Sequence, residues 1–127
     1  MNPLRILVVD DDQDTVNVLR RLLSREGHDV VTAKSVVAGV DVARKGRVDL
    51  LISDIALPDG HGYELMAAVK AMHGVPGIAL SGYVDESDKQ RAAEAGFCVH
   101  LDKPVRFDDV LQAIADCLDG KPAAISS

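Results

Sequence analysis

Four groups of reactive side chains in this 127-residue chain can do chemistry together: the acidic triplet Asp10-Asp11-Asp12, Asp54, the pair Ser81-Gly82 and the pair Lys103-Pro104. Carboxylates gathered within a few ångströms repel one another, so such a cluster holds a cation or shifts its pKa values. Hard oxygen donors in a small set suit Mg²⁺, which prefers octahedral coordination and keeps several waters. A carboxylate beside such an ion is a nucleophile toward phosphorus and gives an aspartyl phosphate. The ion and a nearby ammonium would neutralise charge on the transferring group, and a hydroxyl can hydrogen-bond a phosphoryl oxygen. Each piece by itself has a plainer reading. Asp11 or Asp12 can cap a helix, Asp54 can sit in an Asx turn, and Ser81-Gly82 and Lys103-Pro104 can be ordinary turns.

The elements that carry these residues follow from two alternating periods. Arg5–Val9 is a buried-strand run that ends at Asp10; Val16, Leu19, Leu22 and Leu23 then recur at helical spacing up to Gly27. Asp29–Ala33 is a second strand, and Ser35 can cap a helix carrying Val36, Val40 and Ala43 that stops at Gly46. Residues 48–53 form a third strand, again ending at an aspartate, Asp54. Pro58-Asp59-Gly60 is loop chemistry, and Leu65, Met66, Val69 and Met72 mark a third helix face. A short fourth strand is expected over 78–80, weakened by Gly77. The fourth helix begins near Ser87, with Gln90 at capping-box spacing and only Ala92, Ala93 and Ala95 as an apolar stripe, so it should be poorly anchored. The fifth strand covers 99–101, and Phe107, Val110, Leu111, Ile114 and Leu118 line the last helix.

Five strand–helix pairs in one small chain imply an α/β domain with a parallel sheet and helices on both faces. In such sheets ligands sit at the carboxyl ends of the strands. The acidic triplet follows the first strand, Asp54 the third, Ser81 the fourth and Lys103 the fifth. Closing the sheet therefore gathers them into an acidic pocket edged by one hydroxyl and one ammonium.

These residues resemble the receiver domains of bacterial response regulators in two-component signalling. The resemblance is carried by Ile6-Leu7-Val8-Val9-Asp10-Asp11-Asp12, by Ile52-Ser53-Asp54 with Pro58 and Gly62, by Ala79-Leu80-Ser81-Gly82 and by Lys103-Pro104, and it runs from residue 6 to about 118. It implies a flavodoxin-like (βα)5 doubly wound sheet with strand order 2-1-3-4-5. It also implies a signalling phosphoacceptor rather than an enzyme, charged by a histidine kinase or a histidine phosphotransfer domain. By the same resemblance Asp54 is the phosphoacceptor. Asp11, Asp54 and the backbone carbonyl of Ala56 would bind Mg²⁺, with Asp10 acting partly through water. Lys103 would pair with the phosphoryl group or with Asp54. Ser81 would move toward the phosphate and switch the surface of the fourth helix, fifth strand and fifth helix. Ala56 and Tyr83 would flank the path of hydrolytic water and set the lifetime of the phosphoryl group. Two positions depart from the pattern. His100 stands where family members often carry Phe or Tyr, and Asp102 adds an acid beside Lys103, to compete for it or to face solvent. Residues 79–83, Gly96-Phe97 and His100-Leu101 look most like receivers attached to hybrid sensor kinases.

Composition narrows the remaining choices. Apolar residues make up 47% of the chain and aromatic ones only 3%, so one core of Val, Leu, Ile and Ala is expected, over residues 1–120, followed by a flexible tail or linker stub over 121–127. A net charge of -6 argues against binding nucleic acid or an anionic membrane. No secretory or membrane-spanning run is present, which suggests a cytoplasmic protein acting as a monomer or weak dimer. Cys98 and Cys117 lack metal or redox spacing and read as reduced thiols, while His28, His61 and His73 read as surface residues. Two alternatives stay open: a haloacid dehalogenase-type phosphatase, whose D-x-D-x-[TV] motif Asp10 and Asp12 match but Asp14 does not, and a degenerate receiver that only binds a partner.

Overall fold

Aliphatic and β-branched runs form five strands in the computed structural model, which describes residues 3–82 and 86–119 apart from the side chain of Glu86. They are β1 (Arg5–Val9), β2 (Asp29–Ala33), β3 (Leu50–Asp54), β4 (Gly77–Ser81) and β5 (Phe97–Asp102). All pair in parallel, in the order β2-β1-β3-β4-β5. Every residue of β3 and β4 is buried, because central parallel strands are covered on both faces. The covering helices are α1 (Gln13–Arg25), α2 (Val36–Lys45), α3 (Gly62–His73), α4 (Glu86–Ala95) and α5 (Phe107–Leu118). Val16, Leu19 and Leu23 of α1 and Val110 and Ile114 of α5 pack on Ile6, Val8, Ile52 and Leu80. On the opposite face Ala43 of α2, Leu65, Met66 and Val69 of α3 and Ala92 of α4 pack on Leu7, Val9, Leu51 and Ala79.

Short polar side chains set the starts of α1 and α2. The Asp12 carboxylate accepts from the Asp14 N–H at 3.2 Å and from the Thr15 hydroxyl at 2.7 Å, and so begins α1. Ser35 accepts from the Ala38 N–H at 3.1 Å, as its position in the sequence suggests. A second acceptor reaches α2 from outside: the Asp59 carboxylate takes the Val36 and Val37 N–H groups at 2.8 and 3.0 Å, which holds its pKa below the usual carboxylate value. Asp59 lies at the tip of a two-residue antiparallel ribbon, Ala56–Leu57 with Gly60–His61, where the sequence reads only as loop.

Several expectations need correction. β3 starts at Leu50 rather than residue 48, and β4 and β5 are longer at both ends than their apolar centres suggest. Ser87 lies inside α4, whose first residue is Glu86. Met72 and Leu118 are exposed, and Ala113 and Cys117 fill the core of α5 instead; Ala93 of α4 is exposed as well. His28 is buried, not superficial, because its Nδ1 accepts the Leu4 N–H at 3.0 Å. His73 donates from Nε2 to the Ala43 carbonyl at 2.8 Å and ties α3 to α2. Cys98 and Cys117 are joined as a disulfide, with their Cα atoms 5.9 Å apart, rather than standing as separate reduced thiols. Linear spacing hides this pair because the two cysteines meet only when α5 folds back along β5. Tyr83 and the tail over 121–127 lie outside the described residues.

Two glycines permit close approaches that no side chain would. At Gly62, the first residue of α3, a Cβ would overlap the backbone oxygen of Asp54. At Gly77 a Cβ would overlap Met66 Sδ and lie 3.1 Å from Phe97 Cδ1. Gly77 therefore lets α3 settle on the sheet, and does not merely weaken the strand. Backbone cannot yield as a thioether can, so Gly62→Ala should cost more than Gly77→Ala, each within about 1–3 kcal/mol. Urea unfolding of the two variants checks this, and a Gly62→Ala midpoint equal to wild type would remove the close approach from the account.

Candidate functional site

The three acids of the triplet take three different jobs. Asp10 directly follows β1 and is completely buried; its Oδ1 accepts the Asp12 N–H at 2.9 Å, which fixes the carboxylate in the turn leading to α1. Asp11 is exposed at the mouth of the site, and Asp12 is the cap of α1. Asp54 closes β3 and is 7% exposed. Its Oδ1 accepts the Ala56 N–H at 3.1 Å, and the Ser53 hydroxyl donates to its carbonyl at 2.9 Å. The Gly62 N–H, at the start of α3, donates to the Ile55 carbonyl at 2.7 Å and holds the segment after Asp54 in place.

Lys103 reaches both buried acids at once. Its Nζ lies 2.7 Å from Asp10 Oδ2 and 2.8 Å from Asp54 Oδ2. Its backbone N–H donates to the Ser81 carbonyl at 2.8 Å, which locks the end of β5 to the end of β4. The Lys103–Pro104 peptide bond is cis. Burial opposes the charge on Lys103, but hydrogen bonds to Asp10 and Asp54 outweigh it and hold its pKa above the ordinary lysine value. Burial also raises the pKa of Asp10, against the opposing hydrogen bonds from Lys103 and the Asp12 N–H. Asp10, Asp11 and Asp54 each offer a carboxylate oxygen within 4.8 Å of the others. Three carboxylates against one ammonium leave negative charge uncompensated, and an all-oxygen donor set of this size fits a hard divalent cation such as Mg²⁺.

The other expected residues fall around this centre. Ser81 ends β4, is buried, and pairs in register with Asp102. Ala56 is exposed two residues past Asp54. His100 pairs with Ala79, its side chain largely buried and its Nε2 without a hydrogen-bond partner among the described residues. Burial lowers the pKa of His100, opposed by the charge of Asp102, whose Oδ1 is 3.7 Å from Nδ1. Asp102 is itself solvent-exposed and does not compete for Lys103. The sequence reading missed the roles of Gly62 and Asp59. It also missed a groove of about 390 Å³ beside the acids, lined by Asp12, Thr15, Val18, Lys103, Pro104 and Val105. Val18 lies off the apolar spacing of α1 and is 50% exposed, which is the one linear hint of that groove.

Comparison with known proteins agrees with this geometry. Residues 6–115 match the response regulator receiver domain. A 14.6 kDa protein in the sodA1 3′ region of Leptolyngbya boryana is 37% identical over 123 residues, covering 94% of each chain. The transcriptional regulatory protein GlrR of Escherichia coli is 37% identical over 118 residues, covering 92% of this chain but 27% of GlrR, so the chain corresponds to about a quarter of that relative. Among solved structures, a CheY-like receiver domain protein from Methanospirillum hungatei superposes with a TM-score of 0.87 at 30% identity, covering 94% of this chain and 96% of the other. Nothing in these similarities supports a haloacid dehalogenase-type phosphatase. With fold and sequence in agreement over nearly its whole length, the chain belongs to the response regulator receiver domains, the signalling phosphoacceptors of two-component systems.

Proposed function

We propose that Asp54 accepts a phosphoryl group from a phosphohistidine, on a histidine kinase or a histidine phosphotransfer domain, in the cytoplasm. The observation that carries this reading is the Lys103 ammonium seated between Asp54 and the buried Asp10 at the carboxyl ends of the strands. Response regulators in two-component systems receive their phosphoryl groups from histidine kinases, and the receiver family generally binds Mg²⁺ at an acidic pocket. Here Asp11 and Asp54, with the Ala56 carbonyl and with Asp10 partly through water, would hold that ion. When bound, the ion offsets negative charge on the phosphoryl oxygens.

The remaining work belongs to the chain. A carboxylate oxygen of Asp54 forms the new bond to phosphorus. The phosphorus–nitrogen bond of the donor breaks, and its electron pair stays on the imidazole nitrogen, which then takes a proton. Lys103, already charged and within hydrogen-bonding distance of Asp54, follows the charge onto the phosphoryl oxygens without being recruited from solvent. The Asp54 carboxylate is aimed before the donor arrives by the Ala56 N–H. Ser81, one strand away, supplies the hydroxyl that approaches the phosphorylated site. Its movement is read out through β5 and its neighbours α4 and α5, with His100 in the place of the usual aromatic ring. A half-buried imidazole with an unpartnered nitrogen has a hydrogen bond to gain on moving, which a phenyl ring does not.

Acetyl phosphate with Mg²⁺ should add one phosphoryl group to the wild-type chain and none to Asp54→Ala. Intact mass reads this directly, and a variant that still gains the mass refutes the assignment. Asp11→Ala should keep the fold while its Mg²⁺ affinity drops about tenfold or more, near 1.4 kcal/mol, in a calorimetric titration; wild-type affinity would remove Asp11 from the ligand set. Ala56 offers no group to orient water, and a tyrosine at 83 is a poor base at neutral pH. Self-dephosphorylation should therefore take minutes or longer. The pair Ala56→Asn with Tyr83→Glu should speed it about tenfold. Decay measured after donor removal decides, and loss within seconds in the wild type would defeat this account of lifetime.

A further inference from the structure

Cys98 and Cys117 occupy a place in the fold that gives their bond a consequence. Cys98 is the second residue of β5, which is the outer strand of the sheet and the partner of β4 alone. Cys117 lies in the last turn of α5, where it is the only buried residue, since Leu118 is 41% exposed. Their Cα atoms are 5.9 Å apart, well inside the roughly 4.4–6.8 Å that a disulfide needs. The bond closes a segment of chain, 98–117, that contains Lys103 and nearly all of α5. It sits at the amino end of β5, five residues and about 16 Å from the lysine at the carboxyl end. A chemical change there leaves the contacts of Lys103 with Asp10 and Asp54 alone. It does change how firmly the end of α5 is held, because without the bond that turn keeps a single small thiol in the core.

We propose that Cys98 and Cys117 form a reversible thiol–disulfide couple that clamps α5 to β5 when oxidised and frees the last turn of the helix when reduced. This rests on the reading that α4, β5 and α5 carry the output of Asp54. Cys98 is partly exposed and is the point of entry for a low-molecular-weight disulfide, whereas Cys117 is 8% exposed and resolves the exchange from inside. The Cys98 thiolate attacks one sulfur of the small disulfide and expels one thiolate. The Cys117 thiolate then attacks the Cys98 sulfur of the mixed disulfide and expels the other. The two electrons and two protons given up by the cysteines leave on the two small thiols formed. In a reducing cytoplasm, disulfides that form in mesophilic proteins are usually transient and redox-sensing. The couple would thus add a redox input to a phosphorylation output, acting on two of the three elements that carry it.

The full chain, equilibrated in buffers of reduced and oxidised glutathione, tests the couple. Intact mass should show passage between the dithiol and a form lighter by two hydrogens. Hydrogen exchange over residues 113–118 should be at least tenfold faster in the dithiol form. The double variant Cys98→Ser with Cys117→Ser should exchange at the fast rate in every buffer. A pair that stays in one state across the whole range of glutathione ratios overturns the proposal, and so does equal exchange of α5 in the two states. Phosphoryl uptake from acetyl phosphate by the same samples should be equal in both states. Its absence from both would defeat the Asp54 assignment and with it the signalling meaning of the couple, whereas equal exchange with intact uptake defeats the couple alone.

Discussion

A lysine ammonium held between two carboxylates at the bottom of a cleft is the interaction on which the rest of this structure depends. Asp10 is fully buried and Asp54 nearly so, and an ionised carboxylate is removed from water at great cost unless it finds a counter-charge and hydrogen bonds. Lys103 supplies the charge to both, and the Asp12 and Ala56 N–H groups supply one hydrogen bond each. The three residues stand at the ends of β1, β3 and β5, so the ion pairs form only when the strands are in register. The parallel order that places β1 beside β3, and β5 two strands further out, is thus an electrostatic requirement as well as a packing solution.

Around that centre, function and scaffold are hard to separate. Asp12 belongs to the same acidic triplet as Asp10 and Asp11, yet it caps α1, and its N–H donates to Asp10 Oδ1. Gly62 never touches the acids with a side chain, but its missing Cβ lets α3 begin directly against the backbone of Asp54. Asp59 holds the start of α2 from the ribbon that follows Asp54. The segment carrying Asp54 is therefore braced from two helices. A rigid surround is what an acceptor needs if its geometry is to be set before the donor arrives.

The far side of the domain is built differently. α4 presents Ala92 to the core and little else, and α5 ends on a turn whose one buried side chain is Cys117. His100, on β5, carries a buried nitrogen with no hydrogen-bond partner among the described residues. A thinly anchored helix and a buried polar atom without a partner are features of a surface with more than one arrangement.

Much of this was legible in the residues themselves. Apolar runs broken by Asp10, Asp54, Ser81 and Lys103 announce buried parallel strands with chemistry at their ends, because a strand covered on both faces is apolar over most of its length. The periodicity of α1, the cap at Ser35 and the stop at Gly46 are local properties of a few consecutive residues and are read correctly for that reason. What could not be read depends on residues far apart in sequence. Gly77 looks like a weak point of a strand until Met66 is seen against it; His28 looks superficial until the Leu4 N–H is found on it; Met72 and Leu118 follow helical spacing but are exposed. The pairing of Cys98 with Cys117 is of the same kind, since 19 residues of intervening chain say nothing about the antiparallel return of α5 along β5. The sequence by itself determined the alternation of strands and helices, the reactive residues at the strands' carboxyl ends and the chemistry they offer. Only the tertiary structure decided which of three adjacent acids turns inward, because that choice is made by a lysine 93 residues away from Asp10, brought to it by the closure of the sheet.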